Sequence, residues 1–579
     1  MDPFLPPWPH LFLVIVFCVV LVLIGEYVGD KHRQVGQGLM MLGAIGAGIV
    51  LFVRYPYGQA FLLLVVGANV FFTVWQWFDG KEKYREIKEG VKRKALTEIP
   101  LPRRLARLAL DVLLVGLVTA GMVLAVWFLP QEQSALVIVN LFILIHFYGQ
   151  LVERIITFYS TRLYMDEKEG VLYLLSWTKP KQLPLKEMEE IHLESKPDLL
   201  KLNPFFMVFT THQDYTSHFG QVLCLTFSDE TIYFTPQDPH YWHRRLSQFW
   251  GGQKQDNLIV RTTLPVWHPT VLKRLAGKLY YAVTVKGISA YSALILVLYK
   301  LQLPWWGISI IIGLWWGINL ILSDKVLKAA LDAKPIQAGA VYELAQKVFQ
   351  RAGLNRVRLY TTEANEYNGL AIGMTIGRSM VVLTSATLKL PPDAIEGILA
   401  HEAVHVKKRD VLTGQLLRIL GIVVLVGLVY INVDTLQALA DKKWLLVPVF
   451  MVIPWLYAVY LSFTQQWMEV RADHAGSAFL EGGKEQMAQA LRLLTLQQEQ
   501  ALAKNLRYSL TDQEREKREK KMTSQLERDT WGWRFLEFQL QAHPPMYWRI
   551  KTLETVDQPW GWSLFKRWWV DRWRESLPD

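Results

Sequence analysis

The apolar positions of this chain fall in long blocks separated by charged stretches, not in an even scatter. A membrane-crossing helix needs about 20 mostly apolar residues. Blocks approaching that length run over Leu11 to Tyr27, Leu39 to Val53, Ala60 to Phe78, Leu108 to Phe128 and Ala135 to Phe158. Four more run over Val283 to Tyr299, Trp305 to Leu322, Leu417 to Val433 and Trp444 to Phe463. Several carry Trp or Tyr at their ends, as an interfacial belt requires. Nothing basic precedes the first block and no small-residue cleavage site follows it, so it is expected to stay as an anchor.

The polar segments orient these spans. Between the third and fourth blocks lie Lys81, Lys83, Arg85, Lys88, Lys92, Arg93, Lys94, Arg103 and Arg104. Such a basic segment belongs on the cytoplasmic side. Counting outward places the N-terminus outside and residues 159–280, 323–410 and 464–579 inside. The loops left on the other side are short and carry few charges. A multi-pass protein of a bacterial inner membrane is the expectation, with the bilayer as one of its partners.

Residues 160–255 follow another pattern. RLYMDEKEGVLYLLSW reads as strand, acidic turn, strand, and QVLCLTFSDETIYFTP continues the alternation. HYWHRRLSQFW then reads as a helix. Strands closed by one helix resemble the bacterial pleckstrin-homology-like module; a β-rich insert of other topology is the alternative. Tyr241, Trp242, Trp250, Arg244 and Arg245 either meet lipid headgroups or close a core. The charge run at 510–530 reads as a solvated segment. The expected division is a membrane region at 1–159, the β-rich module at 160–255, a linker with two spans at 256–323, and a catalytic domain at 324–579 with a membrane hairpin at 411–463.

Composition changes this picture little. Of 579 residues, 51% are apolar and 20% charged, with a mean hydropathy of +0.15. The net charge of +11 is explained by the basic span flanks, and no nucleic-acid motif accompanies it. Cys18 and Cys224 are far apart and are read as unpaired thiols without a catalytic role.

The chemistry concentrates in PPDAIEGILAHEAVHVKKRD, residues 391–410. Pro-Pro-Asp opens a helix. His401 and His405 are four apart, so their imidazoles leave one helical face and can share one Zn²⁺. Glu402 beside them can act as general base and then proton donor to the leaving amine. After a two-span insert the chain reads QQWMEVRADHAGSAFL. Glu469 can complete a His₂Glu site. Asp473, one turn on, can fix the tautomer of a ligand histidine. His474 competes as ligand but leaves the helix off the Glu469 face. Short strands are expected at 356–361, 368–374 and 379–384. The NGLAIG strand, with Asn368 and Ala371, is the candidate edge to which an extended substrate adds.

This combination resembles the HtpX and CAAX prenyl protease family of membrane gluzincins. The residues that carry the resemblance are NGLAIG (368–373), HEAVH (401–405), EVRAD (469–473) and HPPMYWRI (543–550). It covers about residues 280–560 and leaves 1–279 outside. It implies a zincin-type α+β peptidase on a multi-span scaffold, with one Zn²⁺ on His401, His405 and Glu469, Glu402 as base, and Asp473 supporting. It also implies that His543 assists near the scissile carbonyl oxygen and that Arg549 supports that segment electrostatically. The expected function is cytoplasm-facing endoproteolysis of membrane or misfolded proteins. A narrow-specificity processing protease and a non-enzymatic membrane scaffold are the alternatives.

Overall fold

A computed structural model describes residues 6–128, 134–203, 206–209, 211–250, 258–260, 264–265, 267–282, 305–372, 379–432, 434–435, 443–519 and 523–578. The first apolar blocks form α1 (Trp8–Gly29), α2 (Arg33–Arg54) and α3 (Tyr57–Gln76). A polar helix, α4 (Lys81–Arg93), follows, then α5 (Leu105–Phe128) and α6 (Ser134–Ser160). Among the described residues, four helical stretches are long and apolar enough to cross a membrane: Trp8–Gly29, Arg33–Arg54, Gln59–Arg93 and Leu105–Leu124. Their outward side chains include Phe12, Leu42, Val53 and Leu117, each more than half exposed. Outside a bilayer that surface would be unfavourable.

The β-rich region is a two-sheet sandwich. One sheet has the order β1 (Thr97–Ile99), β2 (Arg162–Asp166), β3 (Val171–Leu175), β4 (Lys181–Pro184), all antiparallel. The other has β6 (His212–Tyr215), β8 (Thr231–Phe234), β7 (Val222–Thr226), β5 (Glu190–Glu194), β9 (Leu258–Ile259). A short helix, α7 (Leu199–Leu202), lies between β5 and β6, and α8 (Pro239–Leu246) closes the sandwich. Leu163, Leu172, Leu225, Phe234 and Trp242 meet in its core. Trp242 is therefore a core residue, while Tyr241 is exposed. The strand Thr97–Ile99 lies before the expected start of the module at 160. It comes from the basic loop between spans and was too short and too charged in context to stand out.

After α9 (Pro269–Tyr281) the sixth apolar block, Val283–Tyr299, lies outside the described residues. The chain resumes in α10 (Trp305–Leu331). The following domain carries a sheet of order β10 (Lys334–Pro335), β11 (Arg358–Thr362), β13 (Met380–Thr384), β12 (Gly369–Ile372). β11 runs parallel to β13, and β12 antiparallel to it, at the sheet's edge. Beneath the sheet lie α11 (Ala340–Arg351) and α12 (Pro392–Lys408). α13 (Asp410–Ile431) and α14 (Lys443–Gly476) form the two-helix insert. α15 (Gly483–Ser509), α16 (Asp512–Glu519), α17 (Trp531–Leu540), α18 (Met546–Thr555) and α19 (Trp562–Arg574) complete the chain. Part of the 510–530 charge run is thus helical.

Two local features position the site. α12 is buried from Ala394 to Val404, and α15 approaches it closely: a Cβ on Gly397 would lie 2.5 Å from Ala490 Cβ. Only glycine allows that contact. α12 ends at Arg409, whose φ of 55° is left-handed. Such a conformation is unfavourable for a residue with a Cβ. Here it swings the chain out of α12 and starts α13 at Asp410.

Candidate metal centre

His401 and His405 leave one face of α12, as their spacing requires. Glu469 reaches them from α14, a single 34-residue helix that continues from the ninth apolar block. Six residues of helix separate Phe463 from Glu469, roughly 9 Å at 1.5 Å per residue. The two-helix insert therefore delivers the carboxylate just beyond the apolar block.

The three side chains converge. His401 Nε2 lies 3.0 Å from His405 Nε2 and 3.5 Å from Glu469 Oε2. His405 Nε2 lies 3.4 Å from Glu469 Oε1. The other ring nitrogens are engaged. His401 Nδ1 meets Asp473 Oδ1 at 2.9 Å, and His405 Nδ1 meets Asp410 Oδ2 at 2.7 Å. A carboxylate accepts, so each Nδ1 donates its proton. Once a metal displaces any second ring proton, each Nε2 presents a lone pair toward the same point as a carboxylate. Lone pairs facing one another at 3.0 Å repel unless a proton or a metal ion lies between them.

The spacing fits such a metal ion. Tetrahedral ligands about 2.0–2.1 Å from Zn²⁺ are roughly 3.3–3.4 Å apart, the edge being about 1.63 times the bond. The two Nε2 atoms are 3.0 Å apart and lie 3.5 and 3.4 Å from Glu469 Oε2 and Oε1 respectively, and one ligand atom from each of the three side chains falls within 4.8 Å of the others. Charge agrees. The carboxylates of Glu402, Glu469, Asp473 and Asp410 outnumber the guanidiniums of Arg549 and Arg471 by two, four minus two. A divalent ion balances the difference.

Arg549 lies buried against Asp473, its Nε 2.7 Å from Oδ2 and its Nη2 2.7 Å from Oδ1. Burial opposes charge on Asp473, but Arg549 and His401 hold its carboxyl far below the usual range. Burial would likewise raise the Glu469 carboxyl. His543, His401 and His405 outweigh that and keep it well below its ordinary value. Burial also opposes charge on His401, yet Asp473 and Glu469 lift it to about 9. The site is thus ordered by carboxylates around imidazoles.

The other sequence-derived residues fall around the same cavity of about 710 Å³. Glu402 Oε2 accepts from the Ala371 N–H at 2.7 Å, tying the expected base to β12. The N–H of Thr384 donates to Asn368 O, so the backbone of Asn368 points into the sheet. By alternation the polar groups of Gly369 and Ala371 face away from β13. His543 is largely exposed and sets Nδ1 2.8 Å from Glu469 Oε2. His474 stands apart from the cluster, with Nε2 3.4 Å from Thr552 Oγ1.

Asp410 was not among the residues singled out from sequence. On a continuous helix it would lie about 140° round from His405, pointing away. The left-handed turn at Arg409 brings it back. It also receives Arg471.

Residues 335–557 match the model of peptidase family M48, and residues 162–250 match the bacterial PH domain. Several relatives bear the name protease HtpX homolog. That of Pelotomaculum thermopropionicum is 37% identical over 98 residues, 16% of this chain and 35% of that protein. That of Campylobacter concisus is 30% identical over 183 residues, 30% of this chain and 63% of that protein. That of Acaryochloris marina is 36% identical over 95 residues, 16% of this chain and 32% of that protein. The chain thus spans between about a third and just under two thirds of these relatives.

Proposed function

We propose that the chain is a membrane-bound zinc metalloendopeptidase acting at the cytoplasmic face, with protein segments as substrates. The HtpX-like M48 domain and the four apolar helices support a membrane metallopeptidase. The observation that carries the reading is the convergence of two Nε2 lone pairs and one carboxylate at tetrahedral-edge distances, with both Nδ1 protons committed elsewhere.

Zinc bound there supplies Lewis-acid polarisation of a peptide carbonyl and activation of water. The chain's own residues do the rest. Glu402 lies on α12 beside the ligands, and its Oε2 takes the Ala371 N–H. It receives the proton of the attacking water and passes it to the leaving amine. The outward groups of Gly369 and the outward carbonyl of Ala371 hold an extended substrate by main-chain bonds, which favours broad sequence tolerance. His543, at the open side of the cavity, stabilises charge developing on the carbonyl oxygen. Asp473 and Asp410 hold the two imidazoles in register.

The test is Glu402→Gln in the purified full chain. Zinc content, by elemental analysis, should match wild type, while casein hydrolysis falls by about 10²–10⁴. Undiminished cleavage would sink the mechanism. A wild-type chain that binds no zinc would sink the reading itself.

A further inference from the structure

The role assigned so far uses only residues beyond 360, yet the sandwich is packed against both sides of the cleft. One side is β12 with its entry loop. The other is α15, which contributes Met487, Leu491, Leu494 and Gln498 to the cavity wall.

The entry loop is gripped from the sandwich. Asn365, buried, donates from Nδ2 to the Phe227 carbonyl at 3.2 Å and to Thr231 Oγ1 at 3.2 Å. Two residues earlier, Glu363 pairs with Lys201 of α7. Three residues later, the Asn368 N–H donates to Thr387 Oγ1 at 2.8 Å. The turn that carries Thr387 is tied in turn to the sandwich, because Lys389 pairs with Glu189. Glu363, Asn365 and Asn368 therefore each have a contact, direct or at one remove, on the sandwich, while Ala364 is held within its own domain by Ser385.

The opposite wall is gripped by the same hairpin. Tyr508, in the last turn of α15, is fully buried within the sandwich core. Its ring meets Phe227 edge-on, with centroids 5.9 Å apart and planes at 65°. Its hydroxyl donates to Glu187 Oε2 at 2.7 Å. The Phe227 N–H donates to the Glu230 carbonyl at 2.8 Å, closing the β7–β8 turn. Phe227 thus holds the strand side through its carbonyl and the helix side through its ring. Across the cleft the walls touch through Gln498, whose Nε2 donates to the Tyr367 carbonyl at 2.9 Å.

We infer that the β7–β8 hairpin of the sandwich sets the spacing between the edge strand and α15, with Asn365 and Tyr508 as positioning residues for an extended substrate. The inference rests on the reading of the cavity as a peptide cleft. It assigns the PH-like module a part in substrate binding. A contact that fixes β12 matters for a substrate long enough to lie along it. It matters little for one that reaches only the metal ligands and Glu402.

The experiment compares wild type with Asn365→Ala, Tyr508→Ala and Tyr508→Phe, as full-length, zinc-loaded protein. Zinc content, hydrogen exchange at residues 369–372, and kcat and KM are measured for a peptide of about ten residues and for a blocked dipeptide. For Asn365→Ala and Tyr508→Ala, KM for the long peptide should rise about tenfold and exchange in β12 should speed up about tenfold, as loss of a few buried contacts predicts. Zinc content, and the values for the dipeptide, should stay at wild type. Tyr508→Phe keeps the ring contact and should restore most of the wild-type KM. The inference is overturned if both alanine variants leave KM and exchange unchanged. It is overturned equally if zinc, kcat and dipeptide cleavage fall together, since that marks a merely structural contact. If wild type cleaves neither peptide, the peptidase reading fails, and the exchange data alone decide whether the hairpin holds the strand.

Discussion

The two carboxylates that hold the ligand imidazoles should be separable by mutation, because each has a different second partner. Asp410 and Asp473 each accept from a histidine Nδ1, at 2.7 and 2.9 Å. Replacing either by Asn removes the acceptor that fixes the tautomer, and such partners are worth about 10- to 100-fold in metal affinity. At 1.4 kcal/mol per decade this is about 1.4–2.8 kcal/mol. Beyond that the cases diverge. Asp473 also neutralises Arg549, which is only 5% exposed and pairs with it through two nitrogens. Removing one member of a buried ion pair costs about 3–5 kcal/mol. Asp410 is paired with Arg471, which keeps partial solvent access and lies over the Trp467 ring. Asp410 is itself buried, but Arg471 meets it through one nitrogen where Arg549 meets Asp473 through two, so its loss should cost less, about 1–3 kcal/mol. The expectation is therefore that both changes weaken zinc binding, and that Asp473→Asn lowers the stability of the metal-free protein more than Asp410→Asn does. Chelator competition gives the affinity and denaturant unfolding of the metal-free protein gives the stability. The double change Asp473→Asn with Arg549→Met should recover stability but not affinity. Equal metal-free stability of the two single variants would refute this partition.

Other outcomes follow from the same geometry. In Gly369→Ala, the new Cβ would stand 2.9 Å from Ile398 Cγ2 and 3.3 Å from Glu402 Cγ; displacing the base or the strand should lower kcat/KM about 10- to 100-fold with zinc retained, as peptide kinetics and metal analysis would show. His543→Ala should lower kcat about 100-fold in the zinc-saturated protein; because His543 Nδ1 also meets Glu469, metal affinity should fall by about tenfold, and activity fully restored by added zinc would contradict the role at the carbonyl. Burial lowers the His212 imidazole to about 3, below its unfolded value near 6.5. Its contribution to stability is whole above 6.5 and is lost as pH falls toward 3, at about 1.4 kcal/mol per pH unit. His212→Asn should flatten unfolding midpoints measured between pH 6 and 4. Cys224 is buried and its thiol is pushed up to about 11, so maleimide at neutral pH should label it only after unfolding.

What could be read from sequence and what could not divides by how far apart the determining residues lie. The helix that Pro-Pro-Asp is expected to open is observed as Pro392–Lys408, because its start signal is local. Glu469 and Asp473 were visible because an i, i+4 pair on a helix needs no tertiary knowledge. Asp410 was hidden by a single left-handed residue: periodicity assumes that a helix continues, and Arg409 breaks it without a glycine to mark the place. The strand Thr97–Ile99 was hidden for the opposite reason, since three residues carry no period and acquire meaning only when paired with Leu163–Met165. The bond from Ala371 to Glu402 and the grip of Phe227 on Asn365 and Tyr508 join segments 31, 138 and 281 positions apart. No spacing rule reaches that far. The proposed metal ligands, which must share one face and one point, leave a sequence signature; the residues inferred to set how widely the cleft opens answer only to packing. That is why the chemistry proposed for this chain has a local signature, while the part proposed for the sandwich in substrate binding has none.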